Sequence, residues 1–449
     1  MSENKELTKR FIASILIEAE TPLKTGSGDS DLVIDSPVLR DYNDLPMILG
    51  TSITGALRSI YRDFGNRDDE LFGSQDGEGS KIIISNAHLV DENGEAVELL
   101  LSKKSDFLKM FDTLPVREHV KITHKGVAKE HGKFDDEVCY KGTRWRFEIE
   151  LIGDKSDSIE WERILNILTL PTFRLGGSSR KGYGKIKVVE IKSDIFDVLD
   201  ERYINKSSSL NDSFGKDFKL NSTLKMAFDT YTLKVKPDSF FMFGSGFGDD
   251  EADMTPLKEP IILWQEMKFL KMDNDYIVAP ASSIKGALSH RTAFYYNKLN
   301  KIWAEDVVPL GEAHLHTEKN NEAVKNLFGY EKSREDSGLR GRVLISDLYI
   351  KNYQEKVFDH VKIDRFRGGA KEGALFQEKV VTTDDELEIE IILEQLNKLD
   401  KNYIQAFEMA LKDLATGMLP LGGSVNRGHG VFVGKVYKNG EELKDATTK

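Results

Sequence analysis

The feature that most constrains this fold is an internal repeat, because both copies of a duplicated segment must fold alike. Six blocks occur twice in the same order, and the spacings between them differ only where loops can lengthen. The pairs are GTSITGAL (50–57) and ASSIKGAL (281–288), LFG (71–73) and LFG (327–329), KIIISNAHL (81–89) and RVLISDLYI (342–350), HVKI (119–122) and HVKI (360–363), GVAKE (126–130) and GGAKE (368–372), and LGGSSRKGYG (175–184) and LGGSVNRGHG (421–430). Six collinear matches indicate a tandem duplication.

The chain of 449 residues is also too long for one ordinary hydrophobic core. We therefore predict a first domain over residues 1–205 and a second over residues 224–449. The segment between them, residues 206–223, is rich in Ser, Asn and Asp and is typical of a linker or long loop.

Each copy is predicted to have an α+β fold. RFIASILIEAE (10–20) and YTLKVK (231–236) alternate apolar and polar residues, as half-buried strands do. SIEWERILNILTL (158–170) and YIQAFEMALKDLA (403–415) space their apolar residues as amphipathic helices do. The order strand–helix–strand, repeated, predicts two ferredoxin-like domains of the kind that RNA-recognition domains also use.

Composition narrows the class of protein. The chain is 39% hydrophobic and 31% charged, and it contains neither a long apolar run nor an apolar stretch behind its polar start, so we expect no membrane span and no signal peptide. One cysteine, Cys139, allows no internal disulfide and favours a cytoplasmic location. The net charge of −12 argues against a free-standing nucleic-acid binder, although it is compatible with a local basic groove.

The first repeated block is predicted to begin a helix that can hold a phosphate. Small hydroxyl residues stand at the start of each helix, where unpaired backbone N–H groups and the helix dipole favour an anion. Simple N-capping by Ser52 and Ser283 is the alternative interpretation. The residues assigned to RNA binding in these helices are Thr51, Ser52, Arg58, Ser282, Ser283 and Lys285.

The repeated glycine loops match neither the Walker motif nor the dinucleotide-binding fingerprint. They instead offer a flexible run of backbone amides beside basic residues, which suits a sugar–phosphate backbone bound without regard to sequence. A tight turn before a strand is the alternative. The residues assigned to RNA binding here are Gly176, Gly177, Ser178, Arg180, Lys181, Gly422, Gly423, Ser424, Asn426 and Arg427.

Together, TGSGDSDLVIDSPVLRD (25–41), the helix-start block, LFG, the GxAKE hairpin and the glycine loop resemble the RAMP superfamily of CRISPR systems. The resemblance is strongest to the backbone subunit of type III effector complexes, and two units in one chain resemble the double-backbone fusion of type III-D complexes. It implies two ferredoxin-like palms, each with a thumb hairpin, here residues 120–140 and 361–382, that grips guide RNA. The implied partners are guide RNA (crRNA), complementary target RNA, further RAMP backbone proteins and the large signalling subunit, with no membrane.

The resemblance also implies a catalytic residue. In that family an aspartate in the loop after the first strand cleaves target RNA, and the motif Ile-Asp-Ser-Pro-Val is intact here around Asp35. Such a carboxylate can help to hold Mg²⁺ (or Mn²⁺) while a neighbouring 2′-hydroxyl attacks the phosphate and leaves a cyclic phosphate end. A lone Asp before Ser-Pro is otherwise a turn former.

The second copy offers Asp253 as its catalytic and metal-binding candidate. Asp253 lies nine residues after Gly244, as Asp35 lies nine after Gly26. The Ser-Pro is lost, however, and Asp249, Asp250 and Glu251 crowd the same loop. The stretch from this Asp to the helix start is also longer than in the first copy, so an insertion could hide or displace the site.

The sequence leaves open the role of two histidines and the choice between two functions. His119 and His360 recur at matching positions, and we expect them to be structural or to stack on RNA rather than to act as general acids or bases. The chain is either a metal-dependent endoribonuclease that cuts target RNA within a complex, or a non-catalytic guide-RNA scaffold beside a different cutting subunit.

Overall fold

The computed structural model of the protein describes residues 7–26, 28, 34–65, 68–74, 77, 79–123, 125–220, 224, 227–332 and 337–444. Helices and strands are mixed throughout, and two separate sheets each carry their own hydrophobic core. The mixed α and β class predicted from sequence is therefore confirmed.

The first half contains a sheet, a hairpin and five short or medium helices along the described chain. Its strands are β1 (Lys9–Ala19), β2 (Ile82–Ile84), β3 (His88–Leu89), β4 (Val116–Ile122), β5 (Ala128–Glu137), β6 (Arg144–Gly153), β7 (Ile186–Asp197) and β8 (Lys216–Asp217). Its helices are α1 (Gly50–Asp63), α2 (Asp69–Phe72), α3 (Asp106–Lys109), α4 (Ser158–Ile167) and α5 (Glu201–Ile204).

The second half repeats this succession with additions. Its strands are β9 (Phe228–Pro237), β10 (Ile261–Gln265), β11 (Lys268–Asp273), β12 (Ile277–Ala279), β13 (Gly329–Tyr330), β14 (Leu339–Arg340), β15 (Val343–Ile345), β16 (Leu348–Ile350), β17 (Gln354–Ile363), β18 (Ala370–Thr382), β19 (Leu387–Glu394), β20 (Phe432–Lys438) and β21 (Glu441–Glu442). Its helices are α6 (Ala281–Leu299), α7 (Ala304–Val307), α8 (Glu322–Phe328) and α9 (Lys401–Ala415).

The two sheets have the same strand order. The first runs β2-β6-β1-β7-β8 and the second runs β15-β19-β9-β20-β21, with antiparallel pairing throughout each. The first strand of each half is therefore the central strand of its sheet. β1 lies between β6 and β7, and β9 lies between β19 and β20. Each sheet contributes to its own hydrophobic core, in which strand residues such as Ala13 and Ile15, or Tyr231 and Leu233, are completely buried.

Outside each sheet stands a two-stranded antiparallel hairpin. β4 pairs with β5, and β17 pairs with β18, and in each the histidine of HVKI lies opposite a phenylalanine. Both hairpins are mostly exposed away from their roots. The side chain of Phe366, at the tip of the second hairpin, is fully exposed.

The extra length between Asp253 and the second helix start forms the β10–β11 hairpin. This hairpin packs on the first half, where Phe107 lies 5.7 Å from the ring of Trp264 and 4.7 Å from that of Phe269. Arg144 lies over the Trp264 ring at 4.3 Å. The insertion therefore joins the two halves.

The segment predicted to be a linker is packed on the first half over its described part. Lys206 pairs with Glu148 at 2.7 Å, Leu210 is buried, and Lys216–Asp217 adds to the sheet as β8. The segment is therefore a loop packed on the first half rather than an unattached linker. The boundaries 1–205, 206–223 and 224–449 themselves remain a prediction.

Candidate nucleic-acid interface

The helix starts differ from the prediction in one respect. The N-cap residues are Leu49 and Pro280, so Ser52 and Ser283 lie inside the first turn and do not cap it. Instead, the first N–H group of each helix donates to a side chain that lies between two short strands later in the same half. Gly50 N–H donates to Asn86 Oδ1 at 3.0 Å, and Ala281 N–H donates to Asp347 Oδ1 at 2.7 Å. The capping interpretation was therefore wrong for both serines.

This arrangement leaves the hydroxyl groups at each helix start available. Within the described chain, the side chains of Thr51, Ser52, Ser282 and Ser283 have no hydrogen-bond partner, and the first two are exposed. A helix start with unused hydroxyls and a positive dipole end is suited to a phosphate.

The glycine loops are more rigid than their sequence indicates. Gly176 and Gly422 have positive φ angles of 78° and 88°, and a Cβ at either position would collide with a backbone carbonyl, that of Lys24 or Met242. The next amides, of Gly177 and Gly423, donate to those same carbonyls at 2.7 Å. These glycines are thus explained by close packing on the segment that follows each central strand, which corrects the expectation of a flexible run of free amides.

The basic residue of each loop lies on the root of a hairpin. Lys181 Nζ lies 4.2 Å from the centre of the Phe134 ring, and the Arg427 guanidinium lies 4.7 Å from that of Phe376. Ser178 and Ser424, two residues into each loop, share left-handed φ angles of 54° and 57°. Asn426 is exposed.

The repeated histidine also stacks on each phenylalanine, with the ring centres 4.9 Å apart in both copies. His119 Nε2 lies 2.9 Å from the Tyr183 hydroxyl and 3.4 Å from Asp136, and His360 Nε2 lies 3.0 Å from Glu378. Burial acts to raise the pKa of Asp136, but hydrogen bonds from His119 and Lys24 outweigh it and lower that pKa to about 2. His119 therefore joins its hairpin to its glycine loop, whereas His360 binds Glu378 of its own hairpin, and Glu378 in turn pairs with Arg427 of the loop at 2.9 Å.

All three predicted RNA-binding arginines are already paired, and Arg427 pairs with Glu378 at 2.9 Å. Arg180 donates to the Gly341 carbonyl at 2.7 Å and forms an ion pair with Glu394, both in the second half. Arg58 forms ion pairs with Asp68 and Asp69. These contacts favour structural roles for all three side chains, and their contact with RNA stays a prediction.

Lys285, in contrast to these arginines, lies close to other positive charges. It lies one turn after the start of α6, near Arg180 and Lys181 of the other half's glycine loop. Burial, and then these two positive neighbours, lower the pKa of Lys285 to about 8. A lysine whose charge is disfavoured by its surroundings is suited to receive an anion there.

A cleft of about 430 Å³ brings the predicted elements of the first half together. It is lined by Ser52 and Ser59 of α1, by Gly176 and Gly177 of the loop, and by Arg340 from the second half. Arg340 donates to the Ser59 hydroxyl at 3.1 Å. Sequence reasoning missed Arg340, because no motif marks it and its position depends on how the halves dock.

Asp35 lies where the loop meets the first hairpin. Asp35 N–H donates to Asp135 Oδ1 at 2.8 Å, and Asp135 N–H donates to Asp35 Oδ2 at 3.1 Å. The two carboxylates are therefore neighbours, and Asp35 is exposed. Asp135 was missed by sequence reasoning, although it directly follows Phe134, the residue that stacks on the repeated His119.

Asp253 occupies the equivalent position in the second half. Its Oδ2 accepts a hydrogen bond at 2.8 Å from the N–H of Gln377, the residue after Phe376. Lys379 forms ion pairs with Asp249 at 2.6 Å and Glu251 at 2.8 Å, and its hydrogen bond lowers the pKa of Asp249 to about 2. Of the acidic residues in this loop, Asp253 is thus the one held in the place of Asp35.

The donor sets fit a metal ion unequally. No group of three or more His, Cys, Asp or Glu residues converges in the described regions. Mg²⁺ commonly keeps several waters and binds through one or two carboxylates, which Asp35 and Asp135 supply. The second copy supplies one carboxylate, Asp253, beside an amide side chain, Gln377.

These features define a class: a tandem α+β protein in which each half repeats a helix start, a hairpin and a glycine loop beside an antiparallel sheet. The sequence matches the RAMP superfamily over residues 16–187 and 238–433. Because these regions make up most of the chain and one lies in each half, the chain belongs to the RAMP superfamily.

Two similar proteins have been described. The chain is 26% identical, over 218 residues, to the CRISPR system Cms endoribonuclease Csm3 of Methanocaldococcus jannaschii, covering 42% of this chain and 83% of that protein. It is 20% identical to a chain in the cryo-EM structure of the Type III-B Cmr-beta bound to cognate target RNA, with a TM-score of 0.31, covering 42% of this chain and 61% of that one. Among the described helices, none is both long and apolar enough to cross a membrane.

Proposed function

We propose that the chain is a guide-RNA-binding backbone subunit of a type III CRISPR interference complex, acting in the cytoplasm. Each sheet with its helices is a ferredoxin-like palm, and the hairpins β4–β5 and β17–β18 are the thumbs. Its partners are guide RNA, complementary target RNA and other subunits of the complex, including further RAMP proteins and the large signalling subunit. Family membership and the similarity to an endoribonuclease support the proposal.

The guide is bound mainly through its phosphates. The unused hydroxyls at the helix starts, with Lys285 at the junction of the halves, supply donors that do not depend on base identity. Binding should therefore weaken steeply with salt and depend little on guide sequence.

We also propose that the chain cleaves target RNA with the help of Mg²⁺ or Mn²⁺. The metal, when bound, would stabilise the charge that develops at the scissile phosphate. Asp35 with Asp135, and Asp253 in the second copy, would hold it. The target's own 2′-hydroxyl oxygen attacks phosphorus, the bond to the 5′-oxygen breaks, and the products end in a 2′,3′-cyclic phosphate and a 5′-hydroxyl.

The observation that carries this proposal is the repeated geometry of Asp35 and Asp253. Each carboxylate accepts a hydrogen bond from the backbone N–H that follows the hairpin phenylalanine, although the surrounding sequences differ. The alternative, a non-catalytic scaffold beside another cutting subunit, predicts no dependence of cleavage on either residue.

The test is to purify the complex and add end-labelled complementary RNA with Mg²⁺, and separately with a chelator. Discrete products in Mg²⁺ alone, altered by substitution of Asp35, support cleavage by this chain. Products that are unchanged by substitution of both Asp35 and Asp253 would support the scaffold alternative.

A further inference from the structure

One position of the two hairpins carries opposite charges. The hairpins share one register, because Phe134 and Phe376 each lie opposite the histidine of HVKI. Three residues further along the chain, the first hairpin has Glu137 and the second has Lys379. Both side chains are almost completely buried, at 9% and 7% exposed. A buried charge needs partners that compensate it, so these two residues require different neighbours.

Glu137 binds the loop that carries Asp35. Its Oε2 accepts a hydrogen bond from the N–H of Val38 at 2.7 Å, and its Oε1 accepts one from Arg40 at 3.0 Å. Its own N–H donates to the carbonyl of Ser36 at 3.2 Å. The residues that directly follow Asp35 are thus fixed on the root of the hairpin.

The second loop cannot use the contact that Val38 makes. Gly26 bridges to Val38 in the first loop and Gly244 bridges to Pro256 in the second, so Val38 and Pro256 occupy equivalent positions. Proline has no N–H group, so a carboxylate on the second hairpin would have no backbone donor there. This difference accounts for the absence of a glutamate at that position of the second hairpin.

Lys379 binds the second loop through its acidic residues instead. Its Nζ lies 2.6 Å from Asp249 and 2.8 Å from Glu251. Asp249 Oδ1 in turn accepts hydrogen bonds from the N–H groups of Glu251 and Ala252, both at 2.9 Å. This turn ends immediately before Asp253. Two of the carboxylates that crowd this loop therefore attach it to the hairpin.

We propose that Glu137 and Lys379 are positioning residues for cleavage, each holding the candidate aspartate of its own half against the hairpin. Each acts through the loop rather than through contact with RNA or metal. The inference rests on the proposed function, since it concerns the placement of Asp35 and Asp253. A displacement of about 1 Å can cost about a hundredfold in rate. Loss of either contact should therefore slow one cleavage and leave target binding intact.

The experiment uses the purified complex with end-labelled target RNA and Mg²⁺. Single-turnover rates of the two product bands are measured separately from target binding. Lys379→Met removes the ion pairs, Lys379→Arg keeps the charge, and Lys438→Met is the matched control. Lys438 also pairs with two carboxylates, Asp229 and Glu408, but it lies beside the start of β9, whereas the loop follows the end of that strand.

Two further variants test the contacts from the other side and in the other half. The double substitution Asp249→Asn and Glu251→Gln removes the same ion pairs from the loop, at side chains that are 43% and 72% exposed, which guards against a folding defect. Glu137→Met removes the acceptor of the first half.

We expect Lys379→Met and the double variant to slow the Asp253 band by at least about tenfold. Glu137→Met should slow only the Asp35 band. In every variant the other band and target binding should stay as in the wild type. Lys379→Arg and the control should cleave at nearly the wild-type rate. Selective loss with rescue by arginine would support positioning, because a merely structural role would affect both bands.

Normal rates of both bands in Lys379→Met or in Glu137→Met would overturn the inference. So would equal loss of both bands, loss of target binding, or a wild-type complex that lacks the Asp253 band. If substitution of Asp35 and Asp253 leaves the products unchanged, the proposed function fails instead, whatever the other variants do.

Discussion

At the scale of single residues, the two candidate sites differ in one side chain. Asp35 stands beside the carboxylate of Asp135, whereas Asp253 stands beside the amide of Gln377. A second carboxylate strengthens the binding of a divalent ion because it adds a negative charge. A neutral amide compensates less of the ion's charge and therefore strengthens binding less. The first site should therefore be the more active at low metal concentration.

Asp35→Ala should abolish one product band and leave target binding intact, because an exposed loop carboxylate contributes little to packing. Removal of a metal-binding carboxylate should cost several kcal/mol of transition-state stabilisation, roughly a thousandfold or more in rate. Asp253→Ala should remove a separate band, and each substitution should spare the other product. Asp135→Asn should raise the Mg²⁺ concentration needed for the first band alone. An intact ladder from Asp35→Ala, with the fold verified by circular dichroism, would show that Asp35 is only a turn residue.

Lys285 should have opposite effects on stability and on RNA binding. Its pKa in the folded chain, about 8, lies below its ordinary value near 10.5, so holding the charge destabilises the fold at pH 7. This cost lessens as pH rises through 8 towards 10.5. Lys285→Met should therefore raise the melting temperature of the RNA-free chain at pH 7 and weaken its binding to RNA.

Lys285→Arg is the matched control, because arginine keeps its charge throughout this range. RNA affinity of the wild-type chain should fall between pH 7 and 9 as Lys285 loses its proton, and the arginine variant should not show that part of the decline. Fluorescence anisotropy with a labelled guide measures both. Identical pH profiles for the two proteins would exclude Lys285 from the phosphate contacts.

At the scale of elements, the hairpins differ at their tips. The second carries Phe366, fully exposed between Arg365 and Arg367, and the corresponding turn of the first is KGVA, without an aromatic residue. An exposed aromatic ring beside cations is suited to stack on a base. The second thumb should thus contact the guide more strongly than the first.

Phe366→Ala should leave the melting temperature unchanged, because the ring buries nothing within the chain. It should weaken stacking by about 1–3 kcal/mol. A 2-aminopurine placed in the guide opposite the second half should report this as a change in fluorescence, and one opposite the first half should not. Leu199→Ala, another highly exposed apolar residue, serves as the control. Equal signals in Phe366→Ala and wild type would remove the ring from the RNA contact.

Sequence alone predicted the repeated elements but not what they contact. The blocks correctly marked α1 and α6, the hairpins and both glycine loops, because local periodicity and turn residues determine such elements. The capping role of Ser52 failed because Asn86, distant in sequence, satisfies the first N–H of the helix. Gly176 and Arg180 also make tertiary contacts that the sequence does not reveal, and their contact with RNA stays a prediction. The neighbours of Asp35 could be located only once the register of the hairpin was known.

At the scale of the whole molecule, the halves are joined by a charged cluster that is almost completely buried. The side chain of Arg117 is 2% exposed, and those of Glu259 and Asp347 are 5% and 0%. The Tyr349 hydroxyl donates to Glu259 at 2.9 Å, which completes the network. Burial raises the pKa of Asp347, and Arg117 opposes that rise. Such a cluster adds little net stability when complete, but removing one partner leaves charges that nothing compensates.

Arg117→Met should therefore destabilise the chain by about 3–5 kcal/mol, measured by urea unfolding at pH 7. The loss should lessen as pH falls, because the stranded carboxyl of Asp347, no longer held ionised by Arg117, takes up a proton with a raised pKa and becomes neutral. The triple variant Arg117→Met, Glu259→Gln and Asp347→Asn should recover most of the stability at pH 7 and lose the pH dependence, since no buried charge remains. If Arg117→Met costs less than about 1 kcal/mol, or if the triple variant is no more stable than the single one, the cluster does not hold the halves together. The apolar contacts of the β10–β11 hairpin would then be the main junction, and Trp264→Ala should be the more damaging change.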